Sequence, residues 1–282
     1  MEIIVVVLAL AFLQVWGARN PLHHDGWFRA WSRFALEKLG GGASPPRELY
    51  SFLVVFVPLL LFSAVFQLLL WQSPWIVLPV AVLVLLYSLG RGEFFEIVRE
   101  YTQACYIEDW ESACERAQRF QVDVEHLEQD DWSSLHRHVL DQAGYRGFER
   151  MFAVLFWFFV LGPVGALMYR LVFIQGEQNP NEKLAARWLW LLEWPAVRLL
   201  GLTFALTGNF SGCMEHWRDC VLCARRRTID ILSPMILGAL SVRDDLEQSC
   251  EVTRKELTLM SKLFQRSLWF WIAAAALWSL FV

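Results

Sequence analysis

The chain has 282 residues, of which 56% are hydrophobic, 15% aromatic and 19% charged, with a net charge of −4. Soluble domains run nearer roughly 45–50% apolar and about 25% charged, and the apolar excess here falls in blocks between charged stretches, as membrane helices alternate with aqueous loops. The absence of a basic domain excludes the usual electrostatic footprint of a nucleic-acid binder, and six Cys without a repeated spacing fit free thiols in a reducing compartment rather than a disulfide framework. The expected fold class is all-α: a polytopic integral membrane protein with a helical cytoplasmic layer and about five or six membrane segments.

Residues 1–16 are apolar but carry Glu2 and no basic start, which predicts an uncleaved first helix or half-span rather than a removable leader. At 1.5 Å per residue this stretch reaches only about 24 Å, so it must tilt, thin the bilayer or cross in part. Residues 19–50 hold Arg19, Arg29, Arg33, Lys38 and Arg47. Among them Trp27, Phe28, Trp31, Phe34 and Leu39 recur at helical spacing, as in an amphipathic interfacial helix; Gly40, Gly41, Gly42, Pro45 and Pro46 close it. Residues 50–71 are uncharged and bracketed by Tyr50 and Trp71, which predicts a spanning helix. Gln72, Ser73 and Pro74 form a turn, and residues 75–89 return across the membrane.

Residues 91–145 are polar, with a helical stripe that includes Tyr101, Cys105 and Trp110. The centre of the chain is 149–210. Its apolar run is interrupted by Gly162, Pro163, Val164, Gly165 and Ala166 and closed by Tyr169 and Arg170. Pro195 predicts the start of a second membrane helix, with Glu193 near its N-terminus and Arg198 a turn inside. The second polar region, 211–265, holds a Cys-bearing helix, a helix start at Ser233-Pro234 and a charged helix over 243–262. An apolar segment ends the chain. These stretches divide it into 1–89, 90–148, 149–210, 211–265 and 266–282. The positive-inside rule places 19–47, 91–146 and 218–262 in the cytoplasm and the turns at 72–74 and 175–182 outside.

A ligand or partner cavity is expected at Gly162, Pro163, Gly165, Tyr169, Arg170, Glu193, Trp194, Pro195 and Arg198. Small residues let helices approach and Pro frees a carbonyl, which fits either a packing notch in a kinked helix or a broken helix lining a cavity. Arg198, a turn into an apolar segment, costs a few kcal/mol unless it snorkels or pairs with a carboxylate or an anionic ligand. Arg225, Arg226 and Arg227 read as contacts with lipid headgroups. Cys213, His216, Cys220 and Cys223 share one helix face, which cannot wrap a tetrahedral ion, so no metal is expected. His23-His24-Asp25 and His136-x-His138 read as surface pairs, and the acidic runs at 108–115 and 125–131 as solvated faces. No nucleotide, dinucleotide, esterase or zinc-protease motif occurs, so neither a catalytic set nor a cofactor is expected.

The order of motifs carries a resemblance. Phe156-Trp157 leads into Gly162-Pro163-Val164-Gly165-Ala166-Leu167-x-Tyr169-Arg170. There follow Trp194-Pro195-Ala196-Val197-Arg198-Leu199, then Trp217-Arg218-Asp219, and Ser233-Pro234 with Gly238-Ala239-Leu240-x-Val242-Arg243. This order resembles the CobD/CbiB membrane family, whose cobalamin-pathway synthase joins adenosylcobyric acid to an aminopropanol moiety. The early His24-Asp25-x-Trp27-Phe28, the length and the apolar C-terminus resemble its divergent AmpE branch, inner-membrane modulators of β-lactamase induction. Two departures favour that branch. Leu171-Val172-Phe173-Ile174-Gln175 replaces a polar segment of the synthases, and Met235-Ile236-Leu237 replaces their Asn-Ala-Gly. The resemblance therefore implies a non-enzymatic regulatory or signalling protein of the cell-wall stress response and β-lactamase induction, acting by ligand sensing or partner binding. An ATP-dependent amide-forming synthase is the alternative, and a transporter with a broken helix trails both. The implied setting is the bacterial inner (cytoplasmic) membrane, multi-pass. The implied partners are the lipid bilayer and a membrane protein or small molecule, with no nucleic acid and the oligomeric state open.

Overall fold

The computed structural model describes residues 2–16, 25–39, 47–72, 74–89, 93–124, 126–128, 130–179, 183–221, 223, 226–242 and 249–281. Among these there is no strand. The elements are α1 (Glu2–Trp16), α2 (Gly26–Leu39), α3 (Arg47–Gln72), α4 (Pro74–Ser88), α5 (Glu93–Tyr106), α6 (Trp110–Arg119) and α7 (Trp132–Gly147). A π-helical turn (Phe148–Ala153) leads to α8 (Val154–Gln178), followed by α9 (Lys183–Thr207), α10 (Phe210–Cys220), α11 (Thr228–Leu240) and α12 (Cys250–Phe281). The protein is all-α. Three helical runs, Phe52–Trp71, Trp132–Gln178 and Lys183–Thr207, are long and apolar enough to cross a membrane. Expectations that rest on Arg19, His23, His24, Gly40–42, Pro45, Pro46, Ser73, Arg91, Arg225 or Arg243 lie outside the described residues.

Two compact units form. The first is Met1–Arg91 with Ala153–Glu193; the second is Gly92–Phe152 with Trp194–Val282. In the first, α4 packs on α1 and α8, and α3 on α8. Its core is aliphatic, with Val5, Val6, Val54, Leu85 and Leu86 buried beside Phe28 and Phe158. Much of α3 faces outward with Leu60, Leu61, Val65 and Leu68, as lipid-facing helices do, because hydrocarbon solvates those side chains as well as a core would.

The second unit is built from amphipathic and capped helices. Asp109 caps α6 and Asp131 caps α7, each accepting a backbone N–H at 3.1 Å, from Ser112 and Ser134. Phe152, Phe204, Phe264 and Trp271 form an aromatic cluster, with ring centroids 5.3–5.7 Å apart. α10 and α11 cross at two glycines. A Cβ on Gly238 would lie 2.5 Å from the Gly212 carbonyl oxygen, and one on Gly212 would lie 2.6 Å from the Gly238 oxygen. Asn209 N–H to the Ala239 carbonyl, 2.7 Å, fixes the same crossing.

Prolines account for two differences from the sequence reading. Pro195 and Pro234 do not start helices; they lie inside α9 and α11. An interior Pro loses one backbone hydrogen bond, and neighbouring groups in apolar surroundings make good the loss. Pro195 frees the Leu191 carbonyl, and the Trp157 indole donates to the adjacent Leu192 carbonyl at 3.0 Å, which gives that turn a donor from another helix. At Gly162 the chain does break: φ 66° and ψ −155° interrupt α8. A residue before Pro is pushed out of the helical region, and positive φ suits Gly. The apolar end of the chain is continuous with the charged helix before it, both lying on the 32-residue α12.

Candidate functional site

A cavity of about 520 Å³ lies in the second unit, lined by α7, α11 and α12. α7 offers Arg137, His138, Asp141 and Gln142, which share one face because they fall at positions i, i+1, i+4 and i+5. α11 offers Asp230, Ser233, Pro234 and Leu237, preceded by Arg227. α12 adds Glu256 and Met260, one turn apart. Three carboxylates, three basic side chains and a hydroxyl thus converge over an apolar floor that includes Ile236 and Leu240. Convergent polar groups in an otherwise apolar pocket are the ordinary form of a small-molecule site.

The geometry ties these groups together. The Ser233 hydroxyl donates to Asp141 across 92 residues of sequence. Ser233 therefore serves the cavity rather than a helix end. Arg227 holds Asp230 through two bonds of 3.1 Å. Glu256 is 3% exposed, so its carboxylate sits in low dielectric, where it interacts strongly with any cation or proton donor brought to it. The packing of α11 on α7 sets Ser233 against Asp141.

Beside the cavity, His136 does not lie on the surface. It is 1% exposed, and its Nδ1 is 2.7 Å from the Tyr101 hydroxyl. His138, two residues on, is exposed and meets the Ser134 carbonyl. A spacing of two on a helix turns side chains by about 200°, which separates the pair.

The residues nominated from sequence fall in three places. In the first unit the Arg170 guanidinium donates to Asp25 Oδ2 at 3.0 Å, while Tyr87 donates to Asp25 Oδ1 at 3.3 Å and Trp27 to Tyr87 at 3.1 Å. Tyr169 donates to Glu193 at 3.2 Å, with both residues buried. Gly162 and Pro163 form the break in α8, and Gly165 follows it closely: a Cβ there would lie 2.2 Å from the Trp157 carbonyl oxygen. In the second unit Arg198 donates to the carbonyls of Trp194, Cys220, Val221 and Cys223 at 2.7–3.2 Å and stacks on Trp194 at 4.3 Å. It closes the C-terminal end of α10, where free carbonyls and the helix dipole favour a cation. Arg226 meets the Cys220 sulfur at 3.5 Å. Of the nominated residues, Arg227 lines the cavity.

Cys213 donates its thiol to the Gly201 carbonyl at 3.3 Å, and burial pushes its pKa up to about 11. Among the described residues no group of three or more His, Cys, Asp or Glu side chains is placed to hold a metal ion. The sequence reading missed Arg137, Asp141, Asp230 and Glu256. Their signal was available as polar residues on helices with apolar faces, but nothing local says that three separate helices converge.

The comparisons with known proteins bear on what this arrangement serves. The chain is 32% identical over 96 residues to the cobalamin biosynthesis protein CobD of Chromobacterium violaceum, a match that covers 31% of this chain and 31% of that protein. No protein-family model and no solved structure matches the chain. The match supports a CobD-like relationship over that stretch and gives none to the AmpE branch. It overturns two expectations, a non-enzymatic regulator of β-lactamase induction and a chain that is not an enzyme. The relative is named for a biosynthetic route, which fits the synthase alternative. The regulatory reading rested on polar positions that have become apolar at 171–175 and 235–237, and the loss of particular polar residues does not measure the loss of an activity.

Proposed function

We propose that this chain is a membrane-bound synthase of the cobalamin-biosynthesis type, joining an acid to an amine as an amide at the expense of ATP. The observation that carries the reading is the 32% identity to CobD. The cavity of the second unit is where we place the chemistry. In such a reaction the acid's carboxylate attacks the terminal phosphorus of ATP and ADP leaves. The amine nitrogen then attacks the acyl carbon, phosphate leaves, and a proton departs from nitrogen. Arg137 and Arg227 are suited to the phosphate charge, and Asp141 and Glu256 to the ammonium and its proton. Ser233 orients Asp141.

The acid and amine, by the family resemblance, are a corrinoid carboxylic acid and an amino alcohol. A corrinoid far exceeds 520 Å³ in volume, so the cavity suits the reacting groups and the smaller substrates rather than the whole macrocycle. The inner membrane is the setting we assign, with the polar regions on the cytoplasmic side where ATP is supplied; the distribution of Lys and Arg supports this.

The test uses full-length protein in lipid nanodiscs with ATP, a corrinoid acid and aminopropanol, read by liquid chromatography and mass spectrometry. The reading expects a product with the mass of acid plus amine minus water, one ADP per amide, and turnover reduced about 100-fold by Asp141→Asn or Glu256→Gln. No amide and no ADP from well-folded protein would overturn it.

A further inference from the structure

Outside the cavity, the second unit contains a pair of thiols that the proposed chemistry does not use. Cys105 lies at the end of α5 and is buried, while Cys250 is the first residue of α12 and is half-buried. The two side chains act on each other electrostatically, and the Cys250 sulfur lies 4.0 Å from the carbonyl of Thr102, one turn before Cys105. Helix α5 packs on α12 here. Two thiols from segments 145 residues apart are thus neighbours at one end of a helix packing interface.

The two thiols are not equivalent. Burial pushes Cys105 up to about 12, so it stays a thiol. Its other neighbour, the Tyr101 phenol, is also raised by burial and stays protonated. Cys250 is raised by burial too, but the Cys105 thiol and Arg254, one turn on, pull it the other way. It also sits at the N-terminus of a 32-residue helix, where the dipole favours a thiolate. Arg254 is held over the Tyr106 ring at 5.2 Å, on α5 beside Cys105. Cys250 is the more exposed and better placed nucleophile, and Cys105 stands within reach to resolve it.

We propose that Cys105 and Cys250 are a reversible dithiol–disulfide site, oxidised by a peroxide, that clamps α5 to the start of α12. The Cys250 thiolate attacks hydrogen peroxide; an S–O bond forms, the O–O bond breaks, and hydroxide leaves as water with a proton from solvent. The Cys105 sulfur then attacks the Cys250 sulfur. The S–S bond forms, the S–O bond breaks, and the departing hydroxide takes the Cys105 proton as a second water. Each sulfur gives up one electron and the peroxide gains two. Because α12 carries Glu256 and Met260 two to three turns on, the clamp fixes the helix that lines one side of the cavity. That consequence rests on the cavity being the working site; the thiol chemistry itself does not.

The experiment treats reduced full-length protein in nanodiscs with hydrogen peroxide, alkylates the remaining thiols, and maps peptides by mass spectrometry. The account expects a loss of two alkylatable thiols per chain, a Cys105–Cys250 cross-linked peptide that dithiothreitol cleaves, and alkylation of Cys213 unchanged. In Cys105→Ser, dimedone should label Cys250 as the trapped sulfenic acid. Six thiols still alkylatable after peroxide, or a disulfide joining any other two cysteines of the wild-type chain, would overturn it. Mapping of the wild-type chain decides the matter even where a variant does not fold.

Discussion

Arg170 and Arg198 present the same cue in the sequence, an arginine inside an apolar helix, and the two units solve it differently. Arg170 pairs with a carboxylate, Asp25, which is itself held by Tyr87. Arg198 spends its fork on four carbonyls, three of them around the end of α10 and the fourth that of Trp194. The first arrangement meets the charge with a charge. The second spreads it over backbone groups that needed donors in any case. A buried charge is therefore a weak guide to a ligand site: the fold can satisfy it by charge or by hydrogen bonds alone.

Breaking each arrangement ranks the two. Asp25→Ala leaves the Arg170 cation buried without that carboxylate, a change worth about 3–5 kcal/mol when a buried pair is broken; equilibrium unfolding in detergent measures it. Arg198→Ala leaves three carbonyls after α10 and that of Trp194 without the fork, at about 1–3 kcal/mol for each buried group not reached by water. Arg198→Lys should recover little, since an ammonium cannot span the same set. If Arg198→Lys restores most of the stability that Arg198→Ala loses, the contrast drawn between a single charge pair and a fork of carbonyl bonds fails.

A smaller loss is expected at the crossing of α10 and α11. Gly238→Ala pushes a methyl into the Gly212 backbone and should cost about 1–3 kcal/mol, with weaker ligand binding in the cavity that α11 lines. The smallest effect belongs to the caps. The Ser112 hydroxyl and backbone N–H hold Asp109 below the usual carboxylate range, and Ser134 does the same for Asp131. Because the folded pKa is depressed, the caps contribute stability above the unfolded carboxylate pKa, and this is lost as pH falls through the lower folded value. Asp109→Ala should slightly lower stability at neutral pH, leave acid pH almost unchanged, and so flatten that acid limb in a circular-dichroism pH titration.

These contrasts also explain what was legible in the sequence. The all-helical class, the 52–71 span and the amphipathic helix around Phe28 follow from blocks of apolar residues and from periodicity, which are local. The break before Pro163 was legible because Gly-Pro restricts its own backbone. Pro195 and Pro234 misled because a proline in the first turn of a helix and one in its interior look alike in a short window. Asp25 was noticed in a motif, yet nothing local pairs it with a residue 145 positions away. The cavity was the least legible feature. Arg227 and Ser233 drew attention as a headgroup contact and a helix start, and only the packing of α7, α11 and α12 gives them a common ligand space.

The central claim is that the second unit works on a small molecule in a biosynthetic reaction. Native mass spectrometry of the protein, extracted gently from its own membrane, tests it most directly. The account predicts a nucleotide or corrinoid mass bound to the chain and lost in Asp141→Asn. A co-extracted protein partner with no small molecule, unchanged by that substitution, would contradict it.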